Sequence, residues 1–224
     1  MSGEINHNDK IINQAAKSVL KPMGLFQKGQ SRVWIDDNDW FLIVVEFQPS
    51  NWDKGSYLNV AVNYLWNKQE YLSFDYGYRE SAFVKFNNDE KAFYDDMASL
   101  AEKAAEKVKE YRKFRDIDYA KEKIIQRKNM ATYSHELYHR MMICGLGKDK
   151  RALEFYRKLL EEVKNSTLVY EMAHYKELTE EVAKVICDAD KFYDYILMKV
   201  NLQREFWRRK SSMKKLKEKV DFER

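Results

Sequence analysis

The chain has 224 residues, of which 45% are hydrophobic and 34% charged, and this composition excludes a protein that is disordered as a whole. Its longest uninterrupted apolar run, residues 40–45, is far shorter than the roughly 20 residues of a membrane-spanning helix. The net charge of +4 is too small to indicate nucleic-acid binding by itself.

The first third of the chain predicts one helix followed by strands. Residues 5–21 carry apolar side chains at helical spacing, and Pro22 and Gly24 then end the helix. The next segments are rich in β-branched and aromatic residues and are separated by short turn-forming sequences, which favour antiparallel neighbours. The predicted strands are residues 33–35, 40–47, 57–66 and 71–78. We therefore predict an α+β domain over residues 1–87, with an N-terminal helix and a four-stranded antiparallel sheet.

From residue 88 onward the pattern is helical. Apolar residues recur three, four and seven positions apart, as they do along one face of a helix. The predicted helices cover residues 88–111, 117–144, 149–164 and 168–219. We therefore predict an all-helical domain over residues 88–224, packed on the sheet domain.

Polar and aromatic side chains on the strands predict a binding surface. The strands alternate, so that one face carries amides and a carboxylate, with Asn59 and Asn63 beside Asp75. Aromatic and arginine side chains around amides are typical of protein interfaces. The predicted surface consists of Glu46, Gln48, Asn59, Asn63, Asp75 and Arg79, with Trp52, Tyr57 and Trp66 at its rim. A structural ion pair between Asp75 and Arg79 at the end of the sheet is the alternative.

A second candidate site is the sequence His-Glu-Leu-Tyr-His at residues 135–139, which matches H-E-x-x-H inside a predicted helix. In zinc peptidases this spacing places two histidines on one helical face, with the glutamate as base for a metal-bound water. Here the ligands are His135 and His139 and the base is Glu136. Arg140 follows directly, where such sites usually have an uncharged residue.

A catalytic zinc also needs a third protein ligand. The available groups are predicted to lie off the apolar faces of their helices; they are Glu154, Glu161, Glu162 and His174. We therefore expect His135 and His139 to be buried or half-buried histidines with ordinary hydrogen bonds, and we expect no cofactor. A zinc-dependent hydrolase that uses Glu136 is the alternative.

The C-terminal segment is basic. Residues 204–219 contain eight lysines and arginines against two glutamates. A short basic helix end is usually a solvated face, so we do not expect nucleic-acid binding. Binding of nucleic acid or anionic lipid through this tail is an alternative.

The strand region also contains short motifs in a defined order. They read Val-Val-Glu-Phe-Gln-Pro-Ser at 44–50, Gly-Ser-Tyr-Leu-Asn-Val-Ala-Val at 55–62, Ser-Phe-Asp-Tyr-Gly-Tyr-Arg at 73–79 and Phe-x-x-Phe at 83–86. Together, over roughly residues 19–86, they resemble an uncharacterised bacterial family, domain of unknown function 4304. The resemblance implies an α+β domain of the bacterial cytoplasm, and it implies no catalytic residues.

The function predicted from the sequence is that of a binder and not of an enzyme. Cys144 and Cys187 lack the spacing of a metal site, which is typical of reduced thiols in a reducing compartment. The N-terminus lacks the apolar segment of a secretory signal. We therefore predict a cytoplasmic module that binds an unknown protein or peptide, with an immunity-like role as one example. The sequence specifies neither that partner nor the oligomeric state.

Overall fold

The computed structural model describes residues 7–127, 133–166 and 169–220, without the side chains of residues 169–172. Within these ranges, no helix combines the length and the apolar composition that are needed to cross a lipid bilayer. Both cysteines are free; Cys144 is buried and Cys187 is exposed. Burial raises the pKa of the Cys144 thiol to about 12.

The described chain divides into two compact units. The sheet unit comprises residues 7–112 and 203–220, and the helical unit comprises residues 113–202. Residues 88–112 and the C-terminal segment therefore belong with the sheet, whereas the sequence pattern predicts a boundary at residue 87. The difference arises because apolar periodicity identifies a helix but not the element that its apolar face contacts.

The sheet unit contains a six-stranded antiparallel sheet, which confirms the predicted α+β class. Its strands are β1 (Phe26–Gln27), β2 (Val33–Asn38), β3 (Phe41–Gln48), β4 (Gly55–Tyr64), β5 (Tyr76–Arg79) and β6 (Val84–Lys85). The spatial order is β1-β2-β3-β4-β5, and β6 pairs with β4. Strands β1 and β6 were not predicted, because two residues are too short for an alternating pattern. Residues 71–75, predicted as part of the fourth strand, lie outside β5.

Two helices of the sheet unit pack against each other, and the second of them covers one face of the sheet. They are α1 (His7–Leu20) and α2 (Glu90–Arg112). The ring of Tyr111 meets the ring of Tyr76 edge-on, with centroids 6.0 Å apart. The Arg112 guanidinium donates two hydrogen bonds of 2.8 Å to the carboxylate of Asp36. Helix α2 therefore lies on the face of β2 and β5 that carries Asp36 and Tyr76.

The C-terminal segment of the sheet unit is attached to the turn between β2 and β3. The wholly buried guanidinium of Arg204 donates to the carboxylate of Asp37 at 3.0 Å and to the carbonyl of Asp39 at 2.9 Å. The backbone N–H of Lys217 donates to the same Asp37 carboxylate at 2.9 Å. One carboxylate thus holds two points of residues 203–220 against the sheet.

The described part of the helical unit contains helices of 10 to 20 residues. In the described ranges they are α3 (Ile117–Gln126), α4 (Tyr133–Leu146), α5 (Arg151–Asn165), α6 (Val169–Ala183) and α7 (Ala189–Arg208), whose last turn and a half, from residue 203, belongs to the sheet unit. The single helix predicted over 117–144 is wrong, because Arg127 is extended after α3. The helix predicted over 168–219 is also interrupted. Asp188 accepts the N–H groups of Asp190 and Lys191 and so starts α7 as a new helix.

Helix α5 begins at a cluster of charged side chains. Asp149 accepts hydrogen bonds from the guanidinium of Arg151 at 2.8 Å, and the ammonium of Lys121 lies 3.2 Å away. The Arg151 hydrogen bonds, followed by that of Lys121, hold the pKa of Asp149 well below its usual value. The ionised carboxylate is therefore more favourable in the folded state than in the unfolded state.

Asp149→Asn is expected to lower the free energy of unfolding at pH 7 by about 1–2 kcal/mol. Because the folded-state pKa is depressed, this stabilisation is present above the unfolded-state pKa of about 3.9 and disappears as the pH falls through the folded-state pKa. Urea denaturation followed by the helical circular dichroism signal at pH 7 and at pH 3 measures the change. The exposed control Glu154→Gln, which removes the pair with Lys158, should stay within about 0.5 kcal/mol of wild type. A wild-type advantage over Asp149→Asn that grows at pH 3 would contradict the assignment.

Candidate functional site

A connected set of polar side chains crosses three strands of the sheet. Glu46 on β3 pairs with Asn59 on β4, and Asn59 pairs with Arg79 on β5, so the three side chains share one face. The Asn59 amide donates to Glu46 Oε2 and to Gln48 Oε1, both at 2.9 Å. Arg79 donates to the same Gln48 oxygen at 2.9 Å. We call Glu46, Gln48, Asn59 and Arg79, together with Tyr57, the polar network.

The aromatic member of the polar network supports its only guanidinium. The Arg79 guanidinium carbon lies 3.9 Å above the centroid of the Tyr57 ring, a cation–π contact. The Tyr57 ring in turn contacts the ring of Phe83, with centroids 4.9 Å apart. Asn59 is only 4% exposed, whereas Arg79 is exposed. A buried amide therefore fixes side chains whose outer atoms remain accessible.

Two predicted members of the surface, Asn63 and Asp75, lie elsewhere on β4 and in the segment before β5. The Asn63 amide donates to the Ser73 hydroxyl at 2.5 Å and to Asp75 Oδ2 at 3.3 Å. The backbone N–H of Tyr64 donates to the same Asp75 oxygen at 2.7 Å. Asn63 and Asp75 are buried. The sequence thus placed Asn63 beside Asp75 correctly, whereas Asn59 lies opposite Arg79.

The alternative ion pair between Asp75 and Arg79 does not match these contacts. Arg79 is engaged by Gln48 and Tyr57, and Asp75 accepts from β4 at Asn63 and Tyr64. Arg79 therefore belongs to the polar network, and Asp75 is a buried carboxylate at a different place beside β4.

The two tryptophans predicted at the rim have opposite environments. Trp66 is wholly buried, and its ring stacks on Trp40 with centroids 5.0 Å apart and on Tyr64 at 4.8 Å. Trp66 therefore belongs to the core. The sequence placed it at the rim because it lies just after β4, where the alternation of side chains no longer indicates which face a residue occupies. Trp52, in the loop between β3 and β4, is 93% exposed.

A cleft of about 610 Å³ lies beside Trp52, and Glu46 of the polar network forms part of its lining. One wall is fixed by Arg32, which donates to Asp9 Oδ1 at 2.6 Å and to the carbonyl of Gly55 at 3.0 Å. Neither Arg32 nor Asp9 was predicted from the sequence. The available signal was the β2–β3 pairing, which brings the residue before β2 next to the end of β3.

Among the described residues, four of the eight basic residues of the tail form ion pairs inside the sheet unit. Besides the buried Arg204, the Arg208 guanidinium donates to Glu218 at 2.6 Å. The Lys217 ammonium donates to Asp39 at 2.7 Å, and Arg209 pairs with Glu205. Glu205 and Glu218 belong to the tail itself, so Asp37 and Asp39 are the partners in these pairs that add negative charge from outside it.

The H-E-x-x-H segment lies on α4 of the helical unit. His135 Nε2 and His139 Nε2 are 3.1 Å apart, and the ring planes are inclined at 84°. His135 Nδ1 lies 3.1 Å from the hydroxyl oxygen of Tyr175 on α6. His139 is wholly buried. Burial, reinforced by His135 and Arg127, holds the pKa of His139 well below its usual value, so that its imidazole is neutral at neutral pH.

The glutamate of the motif is engaged by another side chain. Arg140 donates to Glu136 Oε2 at 2.8 Å and to the carbonyl of Arg127 at 2.7 Å. Of the third-ligand candidates, Glu154 is exposed and pairs with Lys158, and Glu161 is exposed. The exposure of Glu154 and Glu161 agrees with the prediction that they lie off the apolar faces of their helices. Glu162 and His174 are half-buried, so they agree with that prediction only in part.

No protein-family model, no curated protein and no solved structure matches this chain. The resemblance of residues 19–86 to domain of unknown function 4304 stays a prediction.

Proposed function

We propose that the sheet unit is a protein-binding module that recognises a short extended segment of a partner protein in the bacterial cytoplasm. The carrying observation is Trp52, which is 93% exposed beside a cleft of about 610 Å³ that reaches Glu46 of the polar network. Tryptophan, tyrosine and arginine dominate the binding energy of protein interfaces. Trp52, Tyr57 and Arg79 supply all three residue types on this part of the sheet unit.

The chemistry of the surface favours a peptide. An extended segment offers backbone N–H donors, carbonyl acceptors and charged side chains of both signs. The Glu46 carboxylate accepts hydrogen bonds, and the exposed Arg79 guanidinium donates them, so an acceptor and a donor lie on the same face of the sheet. Such alternation of acceptors and donors suits backbone groups and fixes the register of a bound segment.

The polar network also lowers the cost of binding. Side chains that are ordered only on binding lose about 0.5–1.5 kcal/mol each. Here Asn59 already bonds Glu46 and Gln48, and Arg79 already rests on Tyr57. The free protein thus holds these groups in place before a partner arrives.

The zinc-hydrolase alternative has weaker support. Its general base would be Glu136, which must reach a metal-bound water with a free carboxylate oxygen. Glu136 is buried, and its Oε2 accepts a hydrogen bond of 2.8 Å from Arg140, one helical turn further along α4. This contact gives Glu136 a structural role on α4.

The test uses a random peptide library displayed on phage and selected on the immobilised full chain. Selected peptides are then synthesised, and their dissociation constants are measured by fluorescence anisotropy. Trp52→Ala and Arg79→Ala are each expected to weaken binding at least tenfold, which corresponds to about 1.4 kcal/mol. Both side chains are exposed, so neither change removes core packing.

The matched control is Tyr71→Ala, which removes an aromatic ring that is 67% exposed on the same unit but outside the cleft and the polar network. It should bind the selected peptides as wild type does. The proposal is wrong if no peptide is enriched, if Trp52→Ala and Arg79→Ala bind normally, or if Tyr71→Ala loses as much affinity as they do.

A further inference from the structure

The histidine pair on α4 has the geometry of two ligands to one metal ion. Residues four positions apart on a helix are neighbours on one face, and here the same atom of each ring, Nε2, lies next to its counterpart on the other ring. A tetrahedral Zn²⁺ with bonds of about 2.0–2.1 Å holds two imidazole nitrogens about 3.3 Å apart. The observed separation of 3.1 Å is close to that value.

A hydrogen bond behind His135 orients its ring. The Tyr175 hydroxyl lies 3.1 Å from Nδ1, and in the tautomer that carries its proton on Nδ1 this N–H donates to the hydroxyl oxygen and leaves the lone pair of Nε2 for a metal ion. Metal-binding histidines characteristically use the second ring nitrogen in this way, which fixes the tautomer and the ring orientation. Tyr175 is buried, so this contact is shielded from water.

Two tyrosine rings lie close to the histidine pair, and the two histidines differ in burial. The ring of Tyr138 lies 5.4 Å from that of His139 and 6.0 Å from that of Tyr175, measured between centroids. His139 is wholly buried, whereas His135 is half-buried. A low-dielectric wall on one side and an accessible ligand on the other suit an ion that enters past His135.

We propose that His135 and His139 bind a divalent transition-metal ion of the zinc class through their Nε2 atoms, with Tyr175 as the positioning residue of His135. Imidazole is a preferred ligand of Zn²⁺, Ni²⁺ and Cu²⁺ and is a poor ligand of Mg²⁺ and Ca²⁺. The inference is independent of peptide binding by the sheet unit. It assigns the paired histidines of the motif without assigning hydrolysis to Glu136.

The experiment uses the full chain, produced without a histidine tag and stripped of metal with a chelator. Zn²⁺ is titrated by calorimetry, and Co²⁺ is used as the visible-absorption probe of coordination. We expect saturable binding near one ion per chain and a rise in the thermal midpoint with Zn²⁺. His135→Ala and His139→Ala should each weaken Zn²⁺ binding at least tenfold.

Two further variants keep the test independent of folding. Tyr175→Phe retains the buried ring and removes only the hydroxyl, so it should weaken binding about 10-fold or more while the circular dichroism spectrum is unchanged. His174→Ala is the matched control, because it removes a half-buried imidazole from the same helix as Tyr175. It should bind Zn²⁺ as wild type does.

Three results would overturn the inference. They are no saturable Zn²⁺ binding by wild type, equal affinity of wild type and His135→Ala, and an equal loss in His174→Ala. In that case the 3.1 Å contact is a hydrogen bond between neutral imidazoles. Should His139→Ala fail to fold, His135→Ala and Tyr175→Phe decide, because His135 is half-buried and phenylalanine preserves the packing of Tyr175.

Discussion

Arg204→Met is expected to lower the free energy of unfolding of the sheet unit by about 3–5 kcal/mol. The guanidinium of Arg204 is wholly buried and bonds both the Asp37 carboxylate and the Asp39 carbonyl. Methionine fills a similar volume but donates no hydrogen bond. The Asp37 carboxylate, which is itself mostly buried, would then lose the cation that compensates its charge.

Tryptophan fluorescence in a urea titration measures this change selectively. The five tryptophans of the chain all lie in the sheet unit; they are Trp34, Trp40, Trp52, Trp66 and Trp207. The control Arg209→Met removes an exposed arginine that pairs with Glu205, and it should stay within about 0.5 kcal/mol of wild type. A loss below about 1 kcal/mol in Arg204→Met would contradict the assigned role.

A double variant separates the pair from its parts. When Asp37→Asn is already present, the carboxylate charge is gone, and the further change Arg204→Met should cost much less than it does alone. Additive losses would show that Arg204 acts through the Asp39 carbonyl and its packing, and not through Asp37.

Gly77→Ala is expected to destabilise the sheet unit by about 3 kcal/mol. Gly77 has φ +122°, a conformation that other residues rarely adopt. A Cβ atom there would lie 2.4 Å from the carbonyl oxygen of Val60 and 2.7 Å from Cα of Ala61. Both are backbone atoms of β4, so the clash is relieved only by moving β5 away from its partner strand.

The control for Gly77→Ala is Gly24→Ala in the same urea titration. Gly24 also has a positive φ, +92°, but a Cβ atom there would have no atom within 4 Å beyond its own residue and its two chain neighbours. The Gly24 variant therefore reports backbone strain alone, and the additional loss in the Gly77 variant reports the close approach of β5 to β4. Equal losses in the two variants would contradict that close approach. Displacement of β5 should also move Arg79 off Gln48 and weaken peptide binding.

The sequence predicted the elements of the sheet unit because their patterns are local. Strict alternation along β4 separated the face of Asn59 from the opposite face, and the structure has these faces as predicted. The predicted partner of Asn59 on β5 was wrong. A shift of two residues between β4 and β5 leaves every side chain on the same face, so alternation cannot distinguish the two registers. In the observed register Gly77 lies opposite Ala61 with their backbones close together, and the alternation of side chains does not predict this pairing.

The parts of the candidate site that the sequence missed depend on contacts between distant residues. Arg32 meets Asp9 across 23 positions, and Arg204 meets Asp37 across 167. A charged residue at such a position looks like any solvated one in the sequence, which is why Arg204 was grouped with a basic tail. The H-E-x-x-H spacing gave the shared face of His135 and His139, whereas Tyr175 comes from another helix.

The attachment of residues 203–220 to the β2–β3 turn has a consequence for biosynthesis. A ribosome makes about 5–20 residues per second, so about 5–20 seconds separate the emergence of residue 112 from that of Arg204. During that delay the nascent sheet lacks residues 203–220, and the Asp37 carboxylate lacks its ion-pair partner Arg204. Residues 113–202 are translated after the strands and before Arg204, so the sheet unit is the first to begin folding and still needs its last segment when the helical unit has emerged.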